Sequence, residues 1–346
     1  MIRVFDGHND VLLRYLREDG YDFFQRNESG HLDFPRAQEG GFAGGFFAIF
    51  VPNPDPMPSM SQYQTDLGID APLPPAIELP YAQSLVMKLT AQLYRLEAAS
   101  DGQFKVVRTL DELQHCLDNN IMAAILHFEG AEMIDEKLDA LEVYYQAGLR
   151  SIGPVWSRPN WFAEGVPFKF PHSPDTGPGL SDAGQALVRE CNRLGILIDL
   201  SHMNEKGFWD VAKISDAPLV ATHSNVHALC PFTRNLTDKQ LDAIKESDGL
   251  VGVNFAVAFL REDGANNQDT LVDIILQHVD YLIDRIGEDK VAFGSDFDGA
   301  AISNDLRDVA GLPKLIDKLH ETGYDESTIR KLAHENWLRV LRKTWR

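Results

Sequence analysis

The sequence predicts an α/β fold, a (β/α)8 TIM-type barrel with long loops after the second and fourth strands. Three observations predict it. Eight short apolar runs are spread along 346 residues, helical patterns lie between most of them, and metal-ligand residue types stand at the ends of five. The runs are residues 2–6, 44–51, 123–127, 151–155, 196–200, 219–222, 250–254 and 291–294. Several are continuously apolar rather than alternating, as strands buried on both faces must be. After the second run, residues 52–80 are rich in Pro, Met, Ser and Asp and read as an insertion, and 81–99 then read as a helix packed outside. After the fourth run comes a second insertion, 156–179, rich in Pro, Gly, Phe and His. Both insertions follow strand C-termini and so overhang the barrel mouth; long connections in that place are commonly functional. Residues 180–194 form a helix with Ser181 as N-cap and Gly195 as its stop. Thr237 caps a helix over 237–245. In 270–286, Leu271, Ile274, Ile275, Val279 and Leu282 recur at helical spacing up to Gly287. Residues 325–346 close the barrel with further helices. Strand and helix alternating eight times is the pattern of this fold, and with no internal repeat the whole of 1–346 is expected to be one barrel domain.

Composition narrows the function. Thirty-two basic against 52 acidic residues give a net charge of −20, which repels phosphate backbones and anionic bilayers, so neither nucleic acid nor membrane is an expected partner. No apolar run approaches the roughly 20 residues of a membrane span, and the N-terminus reads straight into a strand with no basic and apolar leader. The three cysteines, Cys116, Cys191 and Cys230, have no paired spacing; they read as small core residues in a reducing compartment. A cytoplasmic protein is the expectation.

The strand ends carry the chemistry. His8 and Asp10 flank Asn9 at the end of the first strand, and residues two apart on an extended chain project the same way. His127 and Glu129 follow the third run, His202 the fifth, His223 the sixth, and Asp296 and Asp298 the eighth. All converge on the C-terminal face of a barrel, where active sites sit. Imidazole and carboxylate are the ligands of zinc and of other divalent ions. The set exceeds the three protein ligands of one catalytic zinc, so a pair of ions with a shared carboxylate is expected, together with a hydroxide between them as nucleophile and a further carboxylate to move its proton.

These motifs resemble the membrane dipeptidase (renal dipeptidase) family of zinc peptidases in the amidohydrolase superfamily. The resemblance runs from Asp6-Gly7-His8-Asn9-Asp10 to Glu335-Asn336, through Leu197 to His202, His223-Ser224, Cys230, Arg234-Asn235 and Gly294-Ser295-Asp296-Phe297-Asp298-Gly299. It implies two Zn(2+) ions, other divalent metals being conceivable. His8 and Asp10 would bind one ion and His202 and His223 the other, with Glu129 bridging. It further implies Asp296 as proton shuttle, Arg234 as the receptor for the free carboxylate of a dipeptide, acceptance of D-configured C-terminal residues, and a homodimer.

One departure stands out. The family's histidine after the fourth strand, which contacts the scissile carbonyl, is here Trp156, which can neither accept a proton nor act as an imidazole. Metal alone, or Arg158, His172 or Asn160 from the same loop, must then hold the transition-state oxygen, and Trp156 and Arg158 are expected at the substrate. Shifted or narrower substrates follow, with an N-acyl amino acid deacylase or lactonase as the alternative within the superfamily and a non-catalytic metal-binding barrel as a remoter one. Plainer roles attach to the remaining polar residues. His127 reads as a core residue or a partner of a ligand, His227 as a turn cap, and Asp298 as a loop carboxylate or a partner of a ligand rather than a ligand itself. Asp6 and Asp199 read either as partners of a ligand histidine or as simple strand residues.

Overall fold

The computed structural model describes residues 2–56, 58–66 and 68–346. Its centre is a ring of eight parallel strands: β1 (Val4–Asn9), β2 (Phe42–Phe50), β3 (Met122–Glu129), β4 (Leu149–Gly153), β5 (Leu197–Ile198), β6 (Val220–Ala221), β7 (Leu250–Val253) and β8 (Val291–Phe293). Ladders join β1 to β5 in order and β6 to β8 in order. Isolated parallel bridges, Asp199 to Val220 and Asn9 to Phe297, close the two remaining gaps. The predicted barrel is therefore what the chain forms, and all eight apolar runs are its strands. The first extends past its predicted end to Asn9, so His8 lies within the strand and Asp10 just beyond it. β5 and β6 are only two residues long, because the backbone leaves the ladder where it turns to carry His202 and His223.

Each helix signal in the sequence has its counterpart. Helix Asp182–Leu194 starts at Ser181, whose hydroxyl accepts from Gly184 N, and stops at Gly195 in the left-handed region (φ 74°). Helix Asp238–Glu246 starts at Thr237, whose N–H donates to Gln240 Oε1 at 2.9 Å. Helix Asp273–Ile286 begins three residues later than predicted, since Val272 N is taken by Asp305 Oδ2 at 3.0 Å. Helix Leu79–Ala99 covers β2 from outside.

The two insertions differ from their reading as plain loops. Gln64–Thr65 and Gly68–Asp70 pair antiparallel, and Gly68–Asp70 also pairs with Lys169–Phe170 from the second insertion. The overhanging segments thus hold each other in a small three-stranded sheet. A further strand, Phe104–Val106, which the sequence reading missed, pairs with the start of β3.

The barrel's far end is plugged by Trp337 from the C-terminal helix. Its indole N–H donates to Phe293 O at 3.1 Å, and its ring packs on Phe46. A Cβ at Gly7 would lie 2.4 Å from the Trp337 ring, so only glycine lets β1 pass over the plug directly beneath His8. No helix among the described residues is long and apolar enough to cross a membrane.

Candidate metal centre

Four predicted ligands meet at one oxygen. Glu129 Oε1, at the tip of β3, lies 3.0 Å from His202 Nε2, 3.5 Å from His223 Nε2 and 3.8 Å from His8 Nε2, and His8 Nε2 is 3.3 Å from Asp10 Oδ2. His8, Asp10 and Glu129 form one group close enough to hold a metal, and Glu129, His202 and His223 form a second. All five residues are buried. These two groups share one carboxylate, a third group joins His8, Asp199 and His223, and the donor set of imidazole and carboxylate fits divalent metal.

The histidines are aimed by partners behind them, which fix the ring tautomers. His202 Nδ1 faces the Ser157 hydroxyl at 2.8 Å. His223 Nδ1 faces Thr222 Oγ1 at 2.8 Å, and that hydroxyl donates to Asp199 Oδ2 at 2.6 Å. Because the Thr222 hydroxyl gives its proton to Asp199, His223 Nδ1 carries the proton and its Nε2 turns a lone pair inward. Asp199 therefore supports a histidine through Thr222, and its Oδ2 also lies 3.6 Å from His127 Nε2. His127 itself bonds Ser151 Oγ at 2.9 Å and packs edge-on against His8, so it backs the site rather than entering it.

The electrostatics call for cations. Burial holds His202 and His223 well below the usual imidazole range, hence neutral and able to donate. Burial pushes Glu129 and Asp296 upward, with Asp10 adding to both. Burial opposes a charge on His8, yet Glu129, Asp10 and Asp296 together raise it to about 10. Three buried carboxylates thus draw positive charge into a space from which water is largely excluded.

Asp296 follows β8 with φ 61°, and His202 follows β5 with φ 65°. Left-handed backbone at non-glycine residues is costly and clusters at functional sites. Asn254, at the tip of β7, donates to Asp296 Oδ2 at 2.9 Å. Its role went unread in the sequence; a lone Asn ending an apolar run gives no signal without the fold. Asp6 holds Ser295 through its N–H (2.6 Å) and hydroxyl (2.8 Å), fastening β8 to β1. Asp298 accepts from His31 N at 2.6 Å and serves its loop. His227 bonds His172 O at 3.0 Å.

A cavity of about 270 Å³ opens over the cluster. Asp10, Arg17, Glu129, His202 and Asp296 form its polar part, and Leu13, Phe50, Trp156, Phe168 and Phe259 its apolar walls. Hollows of about 860 and 950 Å³ elsewhere are larger, but among the described residues neither holds a group able to bind a metal. Trp156 is at the cavity as expected. Arg158 is not: it is fully buried and stacks on Trp156 with its guanidinium against Glu132. His172 is exposed, and Asn160 spends its side chain on Pro154 O, Phe162 N and Ala163 N. Arg234 sits over the Phe259 ring, 5.4 Å away, with Nη2 on His223 O at 3.0 Å and Nη1 on Ser224 at 3.3 Å. Its Nε has no hydrogen-bond partner among the described residues.

Residues 1–345 match the profile of Membrane dipeptidase (Peptidase family M19). The crystal structure of a metallo peptidase from Rhodobacter sphaeroides, liganded with a phosphinate mimic of the dipeptide L-Ala-D-Ala, is 53% identical and superposes with a TM-score of 0.96 over 99% of each chain. An uncharacterized Klebsiella pneumoniae protein from a pqqA 5' region is 51% identical over 255 residues, 74% of this chain and 94% of its own. Dipeptidase tcpJ of Claviceps purpurea is 27% identical over 351 residues, 99% of this chain and 77% of its own.

Proposed function

The chain belongs to the membrane dipeptidase family (peptidase family M19) and is a metal-dependent dipeptidase; from that premise we propose that it works with two zinc ions and accepts dipeptides whose C-terminal residue is D-configured. The observation that carries the reading is the single oxygen of Glu129 set among His8, His202 and His223 at 3.0–3.8 Å. His8, Asp10 and Glu129 would hold one ion, and Glu129, His202 and His223 the other. Zinc in such a site supplies Lewis acidity and brings the pKa of water to about 7.

The remaining work falls to the chain's own groups. Asn254 occupies Oδ2 of Asp296, which leaves Oδ1 to take a proton from the attacking water and hand it to the departing amine. Arg234 receives the free carboxylate. The arginine is buried behind Phe259, a wall of the cavity, and its Nε has no hydrogen-bond partner among the described residues, a donor that a carboxylate would satisfy. Trp156 and its aromatic neighbours exclude water from one side of the cavity. Relatedness to a peptidase crystallised with an L-Ala-D-Ala mimic supports the D-residue reading. Trp156 offers the carbonyl no imidazole, and bound metal would supply its polarisation.

The test strips the protein with chelator, restores zinc, and assays L-Ala-D-Ala, L-Ala-L-Ala and N-acetyl-D-alanine beside metal analysis. Two zinc ions per chain and zinc-dependent cleavage of the D-dipeptide are expected. Undiminished activity after stripping, or faster turnover of the N-acetyl amino acid, overturns the proposal.

A further inference from the structure

Behind the aromatic wall lies a buried ion pair that the reaction does not use. Arg158 has no exposed surface, and Glu132 is 3% exposed. The Arg158 guanidinium carbon is 4.8 Å from the centre of the Trp156 ring and 5.1 Å from that of Phe50. Nη1 donates to Val51 O at 2.6 Å and reaches Glu132 Oε1 at 3.4 Å. Nε and Nη2 of Arg158, and Oε2 of Glu132, have no hydrogen-bond partner among the described residues. A buried ion pair with polar atoms left over is a poor source of stability, so its presence asks for another reason.

The connections supply one. Val51 follows β2, Glu132 follows β3 and Arg158 follows β4, so one guanidinium ties three neighbouring strand ends at the barrel mouth. Both rings it touches, Phe50 and Trp156, line the cavity, and they meet each other edge-on at 4.8 Å. Guanidinium is planar and stacks on aromatic faces, so it fixes ring orientation in a way an apolar filler does not. Ser157, between Trp156 and Arg158, is the residue that aims His202. The cavity over the metal centre, at about 270 Å³, lies below the roughly 300–1,000 Å³ of sites for drug-sized ligands.

We infer that Arg158 is a positioning residue that holds Trp156 and Phe50 as a fixed wall, and that this wall restricts the enzyme to dipeptides of small residues. The inference rests on the dipeptidase reading for its substrate and on geometry alone for the clamp.

The experiment compares kcat/KM for L-Ala-D-Ala, L-Phe-D-Ala and L-Ala-D-Phe in the zinc-loaded protein and in three variants. The double variant Arg158→Met/Glu132→Gln removes both charges together, Arg158→Lys keeps the charge without the planar stack, and Trp156→Ala removes the wall while leaving the pair. Tryptophan emission attributable to position 156 is read in parallel, by difference against Trp156→Phe in each background. In the native protein, L-Ala-D-Ala is expected to exceed both Phe-containing dipeptides by tenfold or more, in the range a packed pocket achieves. The double variant should cut that preference at least tenfold and shift the position-156 emission to the red, with zinc content unchanged; Arg158→Lys should fall between. Trp156→Ala should relax the preference likewise, which keeps the size filter testable should the double variant not fold. An equal loss for all three dipeptides, or an unchanged preference in Trp156→Ala, overturns the inference. Should the native protein cleave no dipeptide, the function fails, while the emission shift still decides whether Arg158 holds the indole.

Discussion

Asp296 and Thr222 show how differently two residues of one site can be tested. Asp296 has one oxygen engaged by Asn254 and the other facing the cavity. Asp296→Asn should leave metal content unchanged and lower kcat by about 10²–10⁴-fold, the usual worth of a positioned acid–base group; steady-state kinetics beside metal analysis reads both. Thr222 is fully buried and does not line the cavity. Its hydroxyl stands between Asp199 and His223 Nδ1, so Thr222→Val removes the partner that fixes the ring while keeping its shape. Metal affinity should fall about 10–100-fold, measured by competition with a chromophoric chelator. The clustering of His8, Asp10, Glu129, His202 and His223 was legible in the sequence because imidazoles and carboxylates at strand ends have few structural reasons to be there. Asn254, Ser157 and Thr222 were not, since small polar residues at strand ends are common and only the fold says which one meets a ligand. Arg158 was expected at the substrate because it sits two residues past Trp156. Its direction is set by Glu132 and Val51 O, partners that sequence spacing cannot reveal.

At the scale of elements, helix limits were legible where capping chemistry is local, as at Ser181 and Gly195. The mouth segments were not. Their strands are two or three residues long, too short for a period of two to show, and their partners lie about a hundred residues away. Gly68 makes that pairing possible. It has φ 138°, and a Cβ there would sit 1.9 Å from Phe170 O. Gly68→Ala should therefore separate Gly68–Asp70 from Lys169–Phe170. Phe168, two residues before Phe170, walls the cavity, so KM for dipeptides should rise severalfold with kcat nearly unchanged and the melting temperature only slightly lowered. An unchanged KM would mean that the small sheet is not what holds Phe168 in place.

At the scale of the whole molecule, the barrel is secured by buried polar residues whose charge state matters to folding. His278, on helix Asp273–Ile286, is buried between two mouth loops. Its Nδ1 accepts from Val226 N at 3.1 Å and its Nε2–H donates to Leu260 O at 2.9 Å. Only the neutral ring can do both; a proton on Nδ1 would face the Val226 N–H. Burial accordingly pushes His278 down to about 4, whereas in the unfolded chain a histidine titrates near 6.5. The native state then binds fewer protons than the unfolded state between those values. Its contribution is fully present above pH 6.5 and is lost as the pH falls toward 4, on the order of 3 kcal/mol across that window. His278→Gln removes the titrating group. Its stability, from denaturant unfolding at a series of pH values, should fall less steeply than the native protein's between pH 6.5 and 4. The protonation of the imidazoles clustered around Glu129 also acts in this range, but it is common to both proteins and cancels in the difference. Parallel curves would mean that His278 is protonated in the folded barrel, and the hydrogen bond from Val226 N could not then be holding the loop that leads from His223 to Arg234.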